Sequence, residues 1–136
     1  MLRLSKRTDY ALMALAYLAE APAGVASARE MACAYDIPLE LLSKILQRLA
    51  RAGLASSQRG IHGGCRLARS SNGISVADVV RVIDGPVALT ACALGEERCD
   101  QFSTCTVRDP LWQLKARLQS ALTTLSVAQM VQGVAR

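Results

Sequence analysis

SAREMACAYDIPLELLSKILQRLARAGLASSQRGIHGGCRLAR, residues 27–69, is the stretch whose reading decides the fold. Ser27 and Glu30 have the spacing of a capping box and open a short helix through about Ala34. Tyr35–Pro38 reads as a turn, and Pro38 suits the first turn of a further helix that runs to about Ala52. Leu42, Ile45, Leu46 and Leu49 recur at helical spacing, and Gly53 supplies the left-handed residue that ends the helix. Two short helices joined by a tight turn make a helix-turn-helix. The residues after it fit a wing: a strand in residues 54–60, a glycine-rich tip in 60–64 and a returning strand in 65–69. The glycines let that tip lie close against another backbone.

Working outward, residues 8–19 read as a mostly apolar helix capped by Thr8 or Asp9. Downstream, Ser75 and Asp78 cap a helix over residues 76–84, closed by Gly85 and Pro86. A polar loop runs from about Thr90 to Arg108, and Asp109 with Pro110 starts the last long helix. That helix carries Leu111, Leu114, Leu118, Ala121 and Leu125, in steps of three and four residues. Such a seam calls for a partner, and a second copy of the chain would set two reading helices on one DNA duplex. Ser126 and Gln129 can cap a short final turn. The expected fold is mainly α: a winged helix-turn-helix with a small β-hairpin wing and a long C-terminal dimerisation helix. The expected organisation is a DNA-binding domain over residues 1–89, a cysteine loop over 90–108, and a dimerisation helix with tail over 109–136.

The composition agrees. Apolar residues make up 51% of the 136-residue chain and aromatics only 4%, so the core must be built from Leu, Val, Ile and Ala. No apolar run reaches membrane-spanning length. The start, MLRLSKRTDY, lacks the apolar stretch of a signal peptide. A cytoplasmic, nucleoid-associated bacterial protein with no membrane partner is expected.

The net charge of +5 is unevenly placed. Residues 1–70 carry ten Lys/Arg against five Asp/Glu, whereas 71–136 carry six of each. No acidic residue occurs between Glu40 and Asp78, an interval that holds Lys44, Arg48, Arg51, Arg59, Arg66 and Arg69. A one-sign stretch across several elements is the footprint of a polyanion. On the second helix of the motif, Glu40, Leu41, Ser43, Lys44 and Gln47 would face the major groove of a double-stranded operator, where Ser43, Lys44 and Gln47 can hydrogen-bond to bases or phosphates. Arg48 and Arg51 suit phosphates, Arg59 at the wing base suits a narrow minor groove, and His62 at the tip suits the DNA backbone. The lone histidine has no evident partner, so no acid–base constellation for an enzyme or a small-molecule substrate emerges.

Five cysteines are an odd number, and three of them, Cys92, Cys99 and Cys105, share one loop. Cys33 reads as a small buried helical thiol, and Cys65 as a strand residue. The Cys-x6-Cys-x5-Cys spacing is looser than zinc-finger pairs and lacks the tight pattern of ferredoxins. Three thiolates suit a soft metal centre with a further donor, for which Asp9, Glu96, Glu97, Asp100 and Asp109 are candidates. A cluster-free thiol redox switch is the alternative.

Over nearly its full length the chain resembles the iron–sulfur winged-helix regulators of the Rrf2 family, among them the IscR and NsrR types. The resemblance lies in LSKRTDYALMALAYLA, LLSKILQRLARAGLASSQRGIHGGCRLAR, ISVADVVRVIDGP and the cysteine loop, and the start LSKRTDY is most similar to regulators of SUF cluster-assembly operons. It implies a homodimeric transcriptional regulator, a repressor of cluster-assembly or iron-related genes. It implies a 2Fe–2S or 4Fe–4S cluster on Cys92, Cys99 and Cys105, with DNA read around Ser43, Lys44 and Arg59. IscR-type members place a histidine ligand where this chain has Arg108, which cannot serve as one. NsrR-type members complete the site with an aspartate from the other subunit, and the matching residue is Asp9.

Overall fold

The structure, a computed structural model, describes residues 3–61, 63–90, 92 and 99–134. Among the described residues six α-helices and one hairpin run in the order α1 (Lys6–Glu20), α2 (Ala28–Tyr35), α3 (Leu39–Arg51), β1 (Ala55–Gln58), β2 (Gly64–Leu67), α4 (Val76–Asp84), α5 (Arg108–Thr124) and α6 (Val127–Val134). The winged helix-turn-helix is present as expected. No helix among the described residues is long and apolar enough to cross a membrane.

Each element forms for a local reason. In α2 the Ser27 hydroxyl accepts from the Glu30 amide at 3.0 Å, while the reciprocal Glu30 bond is not formed. Asp36, in the left-handed region at φ 54°, ends that helix. Helix α3 buries Leu42, Ile45, Leu46 and Leu49, the four positions read from the spacing. Gly53 leaves it at φ 78°, and the Leu54 amide donates back to the Leu49 carbonyl at 2.9 Å. Helix α4 has the full capping box, with Ser75 and Asp78 bonded both ways.

The hairpin pairs Ala55 with Leu67 and Ser57 with Cys65. It is braced against the body by Ala26, which exchanges two backbone hydrogen bonds with Cys65, at 2.7 and 3.0 Å. Gly64 makes this approach possible: at φ 146°, a Cβ there would lie 2.8 Å from the Ala26 carbonyl oxygen.

The core is aliphatic. Leu15 and Leu18 of α1, Met31, Leu42, Leu49, Leu54, Ile74 and Val79 are fully buried. Burying a Leu side chain contributes about 1.5–3 kcal/mol, and these residues lie in one cluster.

Four local expectations change. Helix α1 is capped by Ser5, whose hydroxyl accepts from the Thr8 amide at 3.1 Å, and not by Thr8 or Asp9. Thr8 lies one turn inside and is fully buried. Cys33 is exposed, because an eight-residue helix buries only Met31 and Ala32. Helix α5 starts at Arg108, one residue before Asp109. The last expected turn is a full helix: α6 opens with a reciprocal Ser126–Gln129 pair, buries Val127 and packs on α1. Two backbone bonds, Val76 to Leu125 and Val127 to Ile74, clip its start to the loop before α4.

Candidate nucleic-acid interface and cysteine loop

The face of α3 opposite its four buried residues carries Glu40, Lys44, Gln47, Arg48 and Arg51, all exposed, with Ser43 half-buried beside them. Arg59 is exposed just beyond β1, so the helix and the wing base bring these side chains to the surface. Lys44, Arg51 and Arg59 form no ion pair among the described residues, where the only pairs are Arg69–Asp78, Arg81–Asp78 and Arg108–Asp109. Their charge is therefore not neutralised within the fold, as binding a polyanion requires. Arg48 is partly committed: its Nη2 donates to the Val82 carbonyl at 2.9 Å and ties α3 to α4. At the wing tip Ile61 is 98% exposed. His62, expected to touch DNA there, lies outside the described residues.

A second set of contacts joins α4 to α1. One Asp84 oxygen accepts from the Thr8 hydroxyl at 2.8 Å and from the Ser5 amide at 3.2 Å. Burial pushes the Asp84 carboxyl up, but these hydrogen bonds and the nearby Arg48 charge outweigh it and hold the group below the ordinary carboxylate range. Asp9 stands half-buried in the first turn of α1, and its carboxylate accepts no hydrogen bond among the described residues. It shares a polar cleft with Arg3, Ser5, Lys6 and Asp84. Sequence reasoning missed Asp84, because its partners lie more than seventy residues away in the chain.

Cys92, Cys99 and Cys105 are free and half-buried. Thr90 Oγ1 lies 3.1 Å from Cys92 Sγ. This hydrogen bond holds the Cys92 thiol below its ordinary value, with Trp112 and Arg108 acting in the same sense. Cys65 in the wing, by contrast, is pushed up by burial, against a smaller lowering by the Ser57 hydroxyl. Cys99 is linked to the short turn Phe102–Thr104 through Phe102 N–H, which donates to the Cys99 carbonyl at 3.2 Å. Asp100 and Asp109 are exposed, and Glu96 and Glu97 lie outside the described residues. The donor chemistry fits an iron–sulfur cluster: three free thiols on one loop, with the Cys92 thiol held below its ordinary value. Among the described residues no three Cys, His, Asp or Glu side chains converge on one point.

The loop leads into α5, which buries no residue completely. Leu111, Leu118 and Leu122 turn partly inward, and the last two line an apolar groove of about 390 Å3 with Val80, Pro86, Val87 and Leu89. Leu114, Ala121 and Leu125 of the expected seam point outward. Leu122, absent from that seam, takes their place against the body.

Comparison with known proteins agrees with this architecture. The chain is similar to CymR (YrzC), the global cysteine regulator of B. subtilis, at 23% identity and a TM-score of 0.79, covering 98% of this chain and 99% of that one. It is similar to T. potens IscR at 25% identity and a TM-score of 0.75, over 97% of this chain and 88% of that one. The oxidised form of S. aureus CymR matches at 21% identity and a TM-score of 0.73, with 96% of each chain covered. The family model described as an iron-dependent transcriptional regulator, Rrf2, matches residues 4–133. The chain belongs to the Rrf2 family and is a transcriptional regulator with a winged-helix DNA-binding fold, not an enzyme.

Proposed function

We propose that the protein is a homodimeric repressor of iron–sulfur assembly (SUF-type) or iron-related genes, controlled by a 2Fe–2S or 4Fe–4S cluster. Cys92, Cys99 and Cys105 would hold the cluster, and Asp9 of the partner subunit would complete it. The observation that carries this reading is the pairing of two features on one small fold: an unneutralised basic face on α3 and the wing, and three free, half-buried thiols between α4 and α5. When bound, a cluster supplies a centre that responds to oxidation and to iron supply.

The chain's own residues do the rest. Ser43, Lys44 and Gln47 present hydrogen-bonding groups to base edges and phosphates, while Glu40 at the start of α3 disfavours misplaced phosphates by charge. Arg51 and Arg59 grip the backbone and the minor groove, and Arg48 does so with the donors left free by Val82. His62 contributes at the wing tip. Asp84 fastens the start of α1, where Asp9 stands, to the end of α4, from which the cysteine loop departs. Arg48 fastens the same helix to α3. A change at the loop or at Asp9 therefore reaches the reading helix through α4. The outward residues of α5 pair with the same helix of a second copy, and residues 1–89, 90–108 and 109–136 divide reading, sensing and pairing among them.

The test is purification without oxygen, a visible spectrum, and assay of iron and acid-labile sulfide per chain. A brown protein with matched iron and sulfide, lost in Cys99→Ala, is the expected result. A colourless protein that takes up neither favours the second reading, a cluster-free thiol switch. That reading draws support from the five free cysteines and from the likeness to the oxidised CymR structure.

A further inference from the structure

Arg108 stands at the foot of α5, and its side chain is only 25% exposed, although its ion-pair partner Asp109 is 73% exposed. Its Nη1 donates to the Phe102 carbonyl at 2.8 Å and its Nε to Asp109 Oδ1 at 3.1 Å. The guanidinium carbon lies 4.4 Å from the Phe102 ring centroid and 5.6 Å from that of Trp112. The two rings are 6.2 Å apart and tilted by 50°. The cation thus sits in an aromatic bracket whose halves come from different elements. Phe102 belongs to the turn between Cys99 and Cys105, and Trp112 to the second turn of α5. This bracket uses the two properties that separate arginine from lysine, a planar face for stacking and a fork of donors. The remaining hydrogen bonds of residues 99–106 stay within the turn among the described residues: Phe102 to Cys99, Thr104 to Gln101, and the long Cys99–Gln101 contact. A three-residue 3-10 turn has little stability of its own, so its attachment decides where its cysteines stand.

We infer that Arg108 is a positioning residue that fastens the arm bearing Cys99 and Cys105 to the foot of α5. A rearrangement at those thiols is then felt at Trp112 and passed to the helix proposed to join two copies. The inference rests on the proposed function only in treating the arm as the sensing element. The linkage itself belongs to the chain, whether the thiols meet a cluster or each other.

The experiment uses the full-length, reduced, metal-free protein. Alkylation by N-ethylmaleimide is followed cysteine by cysteine by mass spectrometry, with the exposed Cys33 as internal reference. Trp112, the single tryptophan, is followed by its emission. In Arg108→Gln, the Cys99 and Cys105 rates relative to Cys33 rise about fivefold, the change in an opening equilibrium that corresponds to about 1 kcal/mol. In Arg108→Lys they rise comparably, since lysine keeps the charge but loses the stack and the fork. Phe102→Leu removes the other half of the bracket and reproduces the pattern without touching the charge. In the wild type, alkylation of Cys105 shifts the Trp112 emission, and in the variants that response is lost. Unchanged rate ratios in Arg108→Gln and Phe102→Leu, or full rescue by Arg108→Lys, overturn the inference. Unchanged ratios in protein that still loads iron and sulfide leave the cluster reading standing. Raised ratios in protein that never loads iron uphold the linkage and remove the cluster.

Discussion

Residues 5–85 and residues 99–125 are built by opposite rules. In the first region α1 to α4 each bury residues on their own chain, and every cap but that of α3 is a side chain that finds its amide. In the second, α5 spans seventeen residues and buries none completely. Among the described residues, four of the six large exposed apolar side chains fall there: Val107, Trp112, Leu114 and Leu125. The first region is a fold that one chain completes. The second, among the described residues, presents an apolar surface that one chain leaves uncovered. The contrast separates what keeps the protein folded from what is proposed to make it respond.

The largest expected effect breaks the first region alone. Leu49→Ala or Leu15→Ala, both at fully buried positions, should cost about 3–5 kcal/mol in urea unfolding, with wing and helices lost together. The second region should answer differently. Leu114→Asp, at a position 50% exposed, should leave the unfolding of dilute protein nearly unchanged yet weaken self-association by at least about thirtyfold, equivalent to about 2 kcal/mol. Sedimentation velocity against concentration checks this. An unchanged sedimentation profile would mean that α5 is not the pairing helix.

A smaller effect tests the joint between α1 and α4 within the first region. Asp84→Ala leaves the buried Thr8 hydroxyl without its acceptor and should cost about 1–2 kcal/mol. Asp84 and Asp78 both titrate below their ordinary value in the fold. Their contribution is complete above the unfolded carboxylate pKa of about 3.9 and is lost as pH falls through the lower folded values. Acid unfolding curves of Asp84→Asn should accordingly be flatter below pH about 4 than those of the wild type. The smallest effect belongs to the DNA face. Arg51→Ala should weaken binding similarly for all duplexes and reduce the salt slope by about 0.9, the share of one phosphate. Fluorescence anisotropy over a salt series reads it, and a changed base preference instead would place Arg51 on a base edge.

Much of the first region was legible in the residues themselves. Leu42, Ile45, Leu46 and Leu49, the Ser75–Asp78 box and the left-handed Gly53 are local signals, and the structure repeats them. The misses are not local. Ser5, Thr8 and Asp9 are all capping types, and what removes Thr8 from the choice is Asp84, seventy-six residues on. An eight-residue helix gives too few turns to fix its phase, so its pattern puts Cys33 on the wrong face. The clip between Val76 and Leu125 is a backbone pairing that leaves no side-chain pattern.

For the candidate site, donor types and spacing were legible, and so was the one-sign stretch. The role of Arg108 was not, although the only phenylalanine and the only tryptophan flank it at six and four residues. Those spacings become a bracket only once the turn at Phe102 folds back onto α5. Leu122 was missed for a similar reason: the groove under α5 is shaped by residues 85–89, which the helix pattern does not describe.

The central claim is that the state of the open region sets the DNA affinity of the closed one. The direct measurement is the dissociation constant for one selected duplex, taken anaerobically on a single preparation before and after its cluster is removed. A change of about tenfold or more, abolished in Cys99→Ala, is the predicted result and corresponds to a coupling of about 1.4 kcal/mol. Equal affinities in the two states would contradict it.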